Sequence, residues 1–335
     1  MSQTAAAHGR NDALVARLSA HYRMMLRIRA FEETAEAASK EGLVKGAIHL
    51  SIGQEAVASG VCANLRRDDM IASTHRGHGH TIAKGADPTA MMKELFGRAG
   101  GSCGGKGGSM HIADFTIGML GANGVVAAGI PITVGAAHAA KLQKRDVVAV
   151  CFFGDGAINR GPFLEALNWA QIYTLPVLFV CEDNQWASTT RTRDLTAGDG
   201  AAARATAMGI PAEMLDGNDV EVIDAAAAKA VAAIRAGGGP RFLHVHTYRL
   251  KGHTAADAGA YRKPEEVQAK WADDPVARAR ARLLALGVVE TDITAIEAAS
   301  RRELDESYAA AKAAPWPDLQ QAFEHIQDTG YGQWR

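Results

Sequence analysis

The sequence predicts an α/β protein built on a doubly wound parallel sheet. After residue 135, short apolar segments rich in β-branched residues alternate with helical segments, an order typical of parallel sheets with helices on both faces. Two of these segments, 146–153 and 175–183, lack the polar–apolar alternation of half-exposed strands, which indicates burial on both faces. Of the 335 residues, 47% are hydrophobic and 22% are charged, the balance of an ordinary globular protein.

Two helices are predicted before the sheet. Apolar residues recur at helical spacing over residues 12–40, and a second helix is predicted over 54–65. We expect residues 1–13 to be disordered. Residues 66–135 are rich in glycine and histidine and have little regular periodicity. Long stretches of this kind inside a compact domain usually serve a function.

The elements of the sheet follow in order along the chain. An alanine-rich helix, residues 219–238, is closed by the glycines that begin at Gly237. We predict a single domain over 1–335, with a helical C-terminal extension over 263–335. The predicted strands are 146–153, 175–183, 212–217 and 241–249, and a further helix is predicted over 161–173.

Composition and charge exclude several classes of function. The formal net charge is −1 and no dense Lys/Arg block occurs, which argues against nucleic acid as the main ligand. The apolar run Val147–Phe153 is too short to span a membrane. The N-terminus has no apolar signal core, and the cysteines have no C-x-x-C or zinc-like spacing. We therefore expect isolated thiols and a cytoplasmic protein without a membrane or nucleic-acid partner.

A candidate metal and phosphate site lies at the end of the strand 146–153. The strand runs into Gly-Asp-Gly, which puts Asp155 at the carboxyl edge of the sheet, where α/β proteins bind ligands. The two glycines allow a phosphate to approach the backbone, and the next helix N-terminus favours negative charge. Because Asp155 would repel bare phosphates, a cation is expected between them.

A second oxygen ligand for that cation is predicted from the next strand. Asn184 follows the strand 175–183 and is expected at the same edge as Asp155. A carboxylate, an amide oxygen and a nearby main-chain carbonyl, completed by phosphate oxygens and water, suit octahedral Mg²⁺. Gly-Asp-Gly alone is more often a simple turn, and the strand context together with Asn184 makes the pair more specific.

At this point the chain resembles a known family. Gly-Asp-Gly followed by this asparagine resembles the thiamine diphosphate motif. The surroundings resemble the α subunits of the first component of 2-oxo acid and acetoin dehydrogenase complexes. The resemblance covers residues 14–330 and is carried by "RAFEE" (29–33), "HLSIGQEAVASG" (49–60), "STHRGHGH" (73–80), "GKGGSMHIAD" (105–114), "GANGVVAAGIP" (121–131) and "YRLKGH" (248–253).

The resemblance implies a role for each matching residue. Magnesium is assigned to Asp155, Asn184 and the carbonyl of Trp186, and the thiamine diphosphate and the substrate to residues around them. The diphosphate would be held by Gly154, Gly156 and Ala157, and the aminopyrimidine ring by Gly124 and Val126. Over the diphosphate end would lie His75, Arg76 and His253, of which His75 and His253 would be catalytic. The substrate channel would be lined by His49.

The sequence departs from the family pattern at three of these positions. Trp186 stands where tyrosine is usual, which a main-chain ligand tolerates. Asp183 replaces a common asparagine and adds a charge near the metal. His75 replaces the tyrosine of animal pyruvate enzymes. In addition, the loop after His253 is one residue shorter than in mammalian pyruvate-type subunits and has no serine, so serine phosphorylation cannot operate there.

The resemblance also implies partners and a reaction. In this fold a glutamate from a separate pyrimidine-binding domain activates the cofactor, and the residues after the cofactor site are too few for that domain. We expect a β subunit that supplies the glutamate, an α₂β₂ assembly and a lipoyl-bearing acyltransferase. The expected substrate is a small carbonyl compound. The length of the loop after His253, together with "STHRGHGH" and "GGSMHIAD", resembles acetoin-cleaving subunits more closely. Acetoin is therefore the expected substrate, with pyruvate or a branched-chain 2-oxo acid as the alternatives.

The stretch "GGSCGGKGGSMH" (100–111) suggests functions of other classes. It nearly spells a phosphate-binding loop, but Gly107 stands where a hydroxyl is needed and no buried strand precedes Gly100. No dinucleotide fingerprint lies between a strand and a helix. A non-catalytic scaffold stays an alternative, although the intact Asp155/Asn184 pair speaks against it. The stretch is either a linker or a structured channel wall, and whether Lys106 and His111 face the channel stays open.

Overall fold

The computed structural model describes residues 2–324 and confirms the doubly wound parallel sheet. Six strands pair in parallel in the order β2-β1-β3-β4-β8-β7, and β5 and β6 form a small antiparallel hairpin. The strands are β1 Met70–Ala72, β2 Met119–Gly121, β3 Ala149–Gly154, β4 Val177–Asp183, β5 Trp186–Ala187, β6 Thr190–Arg191, β7 Ala212–Asp216 and β8 Arg241–His246.

Helices cover both faces of the sheet. Side chains of β3 alternate between two apolar clusters: Val150 and Phe152 pack with helices on one face of the sheet, and Cys151 and Phe153 pack with helices on the other. This two-sided burial explains the uninterrupted apolar strands. The helices are α1 Ser2–Lys40, α2 Glu55–Cys62, α3 His78–Ala83, α4 Pro88–Leu95, α5 Gly129–Leu142, α6 Gly161–Ile172, α7 Gly200–Ala207, α8 Val220–Arg235, α9 Pro264–Trp271, α10 Pro275–Ala285 and α11 Glu290–Ala313.

The region 66–135 contains more regular structure than its sequence suggests. It holds β1, β2, two short helices and α5, and β1 lies inside the sheet between β2 and β3. Strands of three residues are too short for a periodic pattern to be recognised. Glycine and proline also lower the helix propensity of the stretch that becomes α5. The buried position of β1 matters for function because the residues after it reach the candidate site.

Both ends of the described chain are helical. Helix α1 begins at Ser2, whereas the sequence predicts disorder over residues 1–13; its alanine-rich start favours helix, and Met1 lies outside the described residues. The C-terminal extension contains α9, α10 and α11, and α11 packs against α1 and α4. Residues 325–335 lie outside the described residues. Over residues 2–324, no helix has the length and apolar character needed to cross a membrane.

Candidate active site

A cavity of about 560 Å³ lies at the carboxyl ends of β1, β3 and β4. Parallel sheets bind ligands at this edge, and the volume is in the range of small-molecule sites. Every residue that the sequence assigns to the site borders this cavity: His49, His75, Arg76, Gly124, Val126, Gly154, Asp155, Gly156, Ala157, Asn184, Trp186 and His253.

Asp155 is positioned by a tight turn directly after β3. The chain forms a 3₁₀ turn over Asp155–Asn159, and α6 begins only at Gly161. The sequence predicts the N-terminus of the next helix beside the phosphates, but in the structure this turn separates the start of α6 from Asp155. The carboxyl group is buried, at 3% exposure. It accepts hydrogen bonds from the Gly156 amide at 3.1 Å and from the Thr192 hydroxyl.

The electrostatic environment of Asp155 favours a bound cation. Burial, together with the neighbouring Asp183 carboxylate, raises the pKa of Asp155 to about 7, although the Thr192 hydroxyl opposes this shift. A divalent ion held by the carboxylate would offset the cost of keeping this charge in a dry site. The chemistry of the site therefore fits a cation.

Asp183 adds a charge to this region that is balanced by histidines. Its Oδ2 atom lies 3.0 Å from His244 Nε2 and 3.3 Å from His246 Nδ1. These two hydrogen bonds hold the pKa of Asp183 well below its usual range, against the opposing effect of burial. The departure from the family's asparagine is thus accompanied by two imidazole partners on β8.

Asn184 lies in a sharp turn between β4 and β5, and Trp186 is the first residue of β5. Gln185, between them, has φ +72°, a left-handed conformation that is uncommon for a non-glycine residue and often found at functional sites. Asn184 Oδ1 accepts from the Trp186 amide at 3.2 Å, and Nδ2 donates to Gln54 Oε1 at 3.1 Å. The side-chain oxygen Oδ1 of Asn184 has a second lone pair, which is available to a cation. Carboxylate, amide and main-chain oxygens suit Mg²⁺.

The glycines of the site differ in whether packing within the chain requires glycine at their positions. A Cβ on Gly156 would lie 2.9 Å from the Ala187 Cβ, so packing against β5 requires glycine there. A Cβ on Gly154 would meet no atom within 4 Å, and one on Gly124 would come no closer than 3.6 Å. Packing within the chain does not require glycine at these two positions, and the absence of a side chain leaves their backbone open to close approach by a ligand.

Three histidines form a cluster at one end of the cavity. The segment before α2 and the segment after β8 are joined by the Ala255 amide, which donates to the Ile48 carbonyl at 2.8 Å. This contact brings His49 beside His253, with ring centroids 4.9 Å apart. His75, which follows β1, lies 4.5 Å from His49 and 5.7 Å from His253 between ring centroids.

All three imidazoles of this cluster are uncharged at neutral pH. Burial, followed by the charge of Arg76, lowers the pKa of His49 to about 3, of His75 to about 2 and of His253 to about 4. Neutral imidazoles can accept a proton from a reacting group or hold one at a defined nitrogen. The cluster is therefore suited to proton transfer near a bound carbonyl compound.

This cluster predicts an acid-sensitive fold. The pKa values of the three histidines are lower in the folded chain than the unfolded value near 6.5, so the unfolded chain binds more protons as the solution is acidified. The stability that the neutral cluster contributes is therefore fully present above pH 6.5 and falls as the pH is lowered. We expect His75→Gln to reduce the slope of unfolding free energy against pH, between pH 4 and 6, by up to about 1.4 kcal/mol per pH unit. Urea unfolding of the chain at several pH values measures this slope. His138→Gln, outside the cavity, is the control, and an unchanged slope in His75→Gln contradicts the prediction.

Arg76 supplies a fixed positive charge at the same end. Its guanidinium group is buried and donates to the Leu50 carbonyl at 2.8 Å and to the His253 carbonyl at 2.9 Å. Burial, and then the charge of Arg249, lowers the pKa of Arg76 to about 9, so it stays charged at neutral pH. Two buried arginines at this end provide a field that attracts anions such as a diphosphate.

The structure adds two residues that sequence reasoning missed. Gln54 borders the cavity and orients Asn184, and Arg249 is fully buried, with Nη2 donating to the Ser188 carbonyl at 2.9 Å. Both lie inside stretches that carry the family resemblance, "HLSIGQEAVASG" and "YRLKGH". Their local spacing does not distinguish them from ordinary surface residues. Their position within these two stretches is therefore the one feature of the sequence that indicates a role in the site.

Two further histidines of the same region are structural. His78 contacts Glu32 at 2.8 Å and Ser109 at 2.9 Å, and His80 contacts Ser73 at 2.8 Å and Glu182 at 3.2 Å. Both rings are buried and are absent from the residues that border the cavity. They connect β1, α1 and β4 and support the wall of the site.

The glycine-rich loop 100–111 is folded around one carboxylate. Glu94, buried at the end of α4, accepts four backbone N–H groups, those of Cys103 at 2.8 Å, Gly105 at 2.7 Å, Gly107 at 2.7 Å and Gly108 at 3.1 Å. Such an anion in a nest of amides defines a specific loop conformation. The loop is therefore a structured element rather than a linker.

The residue through which the loop reaches the cavity is neither Lys106 nor His111. Met110 borders the cavity, whereas Lys106 and His111 do not. Lys106 is exposed, and its Nζ donates to the Glu324 carbonyl at 2.7 Å. The loop thus forms part of the wall near Gly124, with its basic side chain directed away toward the C-terminal segment.

Replacing Glu94 with glutamine is expected to unfold this loop locally. The glutamine side chain has one acceptor oxygen, whereas the carboxylate has two. Its NH₂ group would also face backbone N–H groups of the loop, which are donors themselves. We expect Glu94→Gln to lower the free energy of unfolding by about 3 kcal/mol and to speed tryptic cleavage after Lys106. Urea unfolding and limited proteolysis measure both effects. Glu33→Gln, at an exposed glutamate, is the control; a loop as resistant as in the wild type contradicts the prediction.

Comparisons with known proteins identify the family of this chain. The family model described as "Dehydrogenase E1 component" matches residues 22–320. The alpha subunit of acetoin:2,6-dichlorophenolindophenol oxidoreductase is 44% identical to this chain in Cupriavidus necator, over 298 residues that cover 88% of this chain and 90% of that protein. The Bacillus subtilis protein of the same name is 43% identical over 300 residues, covering 88% of this chain and 89% of that protein.

A second group of relatives has a different name. The alpha subunit of the pyruvate dehydrogenase E1 component from Zymomonas mobilis is 40% identical over 321 residues, which cover 95% of this chain and 90% of that protein. The resemblance drawn from the sequence motifs is confirmed by these matches. The chain belongs to the dehydrogenase E1 component family and is an oxidoreductase component.

Proposed function

We propose that this chain is the alpha subunit of a thiamine diphosphate- and Mg²⁺-dependent enzyme that cleaves acetoin and passes the acetyl group to a lipoyl acceptor. The observation that carries the proposal is the pairing of Asp155 and Asn184 at one cavity edge, beside the backbone of Gly154–Ala157. Support for the substrate comes from the two relatives named for acetoin. A 2-oxo acid, pyruvate or a branched-chain acid, is the alternative substrate, supported by the relative named for pyruvate.

The residues of the chain have separate tasks in this proposal. Asp155, Asn184 and the Trp186 carbonyl hold the cation, and Gly154, Gly156 and Ala157 offer backbone to the diphosphate. Arg76 supplies positive charge at that end. Gly124 and Val126 offer main-chain groups to the aminopyrimidine ring.

Thiamine diphosphate, when bound, supplies a carbon nucleophile and an electron sink for cleavage beside a carbonyl. The neutral imidazoles of His75 and His253 orient the carbonyl substrate and accept or return its proton. His49 closes the channel beside them. The buried walls exclude water, which would otherwise intercept the acyl group.

A partner chain is part of the proposal. Glu182 is the glutamate among the described residues that border the cavity, and it is paired with His80. An activating glutamate must therefore come from another chain, for which a β subunit in an α₂β₂ assembly is proposed. Val125 and Val126, at the rim of the cavity, are 66% and 51% exposed. Exposed apolar side chains at a rim are typical of a surface that another protein covers.

The remaining partners follow from the same proposal. A lipoyl-bearing acyltransferase component would accept the acetyl group from the reconstituted pair. We also propose a cytoplasmic location, because Cys62, Cys103, Cys151 and Cys181 are all free thiols and free thiols persist in reducing compartments. A nucleotide-binding protein or a non-catalytic scaffold is disfavoured because the metal-ligating oxygens and the histidine cluster border one cavity.

An electron-acceptor assay tests the proposed reaction. The chain is reconstituted with the β subunit expected from the neighbouring reading frame, and reduction of 2,6-dichlorophenolindophenol is followed with acetoin, pyruvate and branched-chain 2-oxo acids. We expect the highest kcat/KM with acetoin, and loss of activity when thiamine diphosphate or Mg²⁺ is omitted. A preference for pyruvate supports the alternative substrate, and activity that is independent of thiamine diphosphate contradicts the proposal.

A further inference from the structure

Asp183, His244 and His246 form a compact cluster beside the active-site cavity. His244 and His246 are two residues apart on β8, so their side chains lie on the same face of the sheet. Asp183 ends β4 and is the register partner of His246, which places its carboxylate on that face as well. The cluster is thus a consequence of strand register and is held by the sheet.

The distances within this cluster suit a metal ion. Asp183 Oδ2 lies 3.0 Å from His244 Nε2 and 3.3 Å from His246 Nδ1, and the ligand atoms of the three residues all lie within 4.8 Å of one another. Two ligands bound at about 2.0 Å in a tetrahedral arrangement are separated by about 3.3 Å. A small rearrangement of the rings would therefore admit an ion between the three side chains.

The cluster opens into its own cleft. A second cavity of about 360 Å³ is bordered by these three residues and by Asp155 and Asp199. His244 is buried and His246 is half exposed, with its side chain 48% accessible. An ion held there would have three protein ligands and an open coordination position facing the cleft, as in metal sites that exchange water or bind a further ligand.

The charge balance of the region also favours a cation. Asp155 and Asp183 are two carboxylates that border the same cleft. Arg191, which borders the same cleft, is already paired with Glu266. A divalent ion bound between the three side chains would offset the negative charge of the Asp183 carboxylate.

We propose that Asp183, His244 and His246 form a second cation site, distinct from the Asp155–Asn184 site, that binds a first-row divalent transition metal ion such as Zn²⁺. Two imidazole nitrogens and one carboxylate select such ions over Mg²⁺, which prefers an octahedral shell of oxygens. The proposal does not depend on thiamine diphosphate, because none of the three side chains is assigned to that cofactor.

Zinc titration of the full chain tests this site. The purified chain, in buffer that contains excess Mg²⁺, competes for Zn²⁺ with a chromophoric chelator. We expect one equivalent of Zn²⁺ to bind, and His246→Gln to weaken this binding by at least about a hundredfold, since loss of even an outer-shell partner costs ten- to a hundredfold. Asp183→Asn is the second variant and is expected to cause a similar loss. Circular dichroism and thermal unfolding without zinc verify that both variants fold.

His75→Gln is the matched control for the other histidine cluster of the chain. The atoms of His49, His75 and His253 are also within 4.8 Å of one another, so zinc held at the active site would be lost in this variant. We expect His75→Gln to keep the wild-type affinity. Unchanged affinity in folded His246→Gln, loss of binding in His75→Gln, or absence of a bound equivalent in the wild type would overturn the proposal.

Discussion

Replacing Asp155 with alanine is expected to abolish Mg²⁺-dependent binding of thiamine diphosphate. The carboxylate is the charged ligand of the proposed cation, and without it Asn184 and a main-chain carbonyl would hold the ion through neutral oxygens only. We expect the apparent affinity for the cofactor to fall by at least about a hundredfold, and turnover of the reconstituted pair by about a thousandfold or more. Quenching of tryptophan fluorescence measures binding, because Trp186 borders the cavity.

The same substitution also makes a prediction for the free chain. Burial raises the pKa of Asp155, which means that the ionised carboxyl group costs stability when no cation is bound. The unfolding temperature of unliganded Asp155→Ala is therefore expected to be unchanged or higher than that of the wild type. Asp194→Ala, at an exposed aspartate paired with Arg193, is the control for cofactor binding. Normal cofactor affinity in Asp155→Ala would contradict the metal assignment.

The purified chain without a partner is expected to have no measurable turnover. Glu182 is the one glutamate that borders the cavity in the described part of the chain, and its pairing with His80 leaves no glutamate there for cofactor activation. A missing general acid or base lowers rates by about 10²–10⁴. We therefore expect activity to rise by at least about a thousandfold when the β subunit is added, measured by dye reduction with acetoin.

Size-exclusion chromatography with light scattering accompanies this measurement. We expect the activity to elute with a complex of both chains and the isolated alpha chain to be inactive at every concentration. Full activity of the isolated chain would contradict the proposal that a partner chain supplies the activating glutamate. A complex that forms normally but stays inactive with every carbonyl substrate would instead support the scaffold alternative.

Much of the sheet could be predicted because its strands are buried on both faces. The runs that become β3 and β4 are apolar except at their carboxyl ends, and their predicted bounds differ from the observed ones by a few residues. The positions of Asp155 and Asn184 at one edge followed from the parallel arrangement alone. In contrast, β1 and β2 are three residues long, too short to produce a periodic signal.

Contacts that depend on register and on distant pairing could not be predicted. The position of Asp183 beside His244 and His246 requires knowledge that β4 and β8 are neighbours and which residues pair. The glycine loop raised the same difficulty, because its acceptor, Glu94, precedes it on α4 rather than lying within it. These cases share a physical cause: a single side chain satisfies several polar groups that are remote in sequence, and local patterns do not encode the pairing.

The most direct test of the central claim is to locate the cation itself. Crystals of the reconstituted pair with thiamine diphosphate and Mn²⁺ in place of Mg²⁺ allow the ion to be found by anomalous diffraction. We expect a peak about 2.1 Å from the side-chain oxygens of Asp155 and Asn184 and from the Trp186 carbonyl oxygen. Cofactor bound in the cavity with no Mn²⁺ peak between Asp155 and Asn184 would contradict the account.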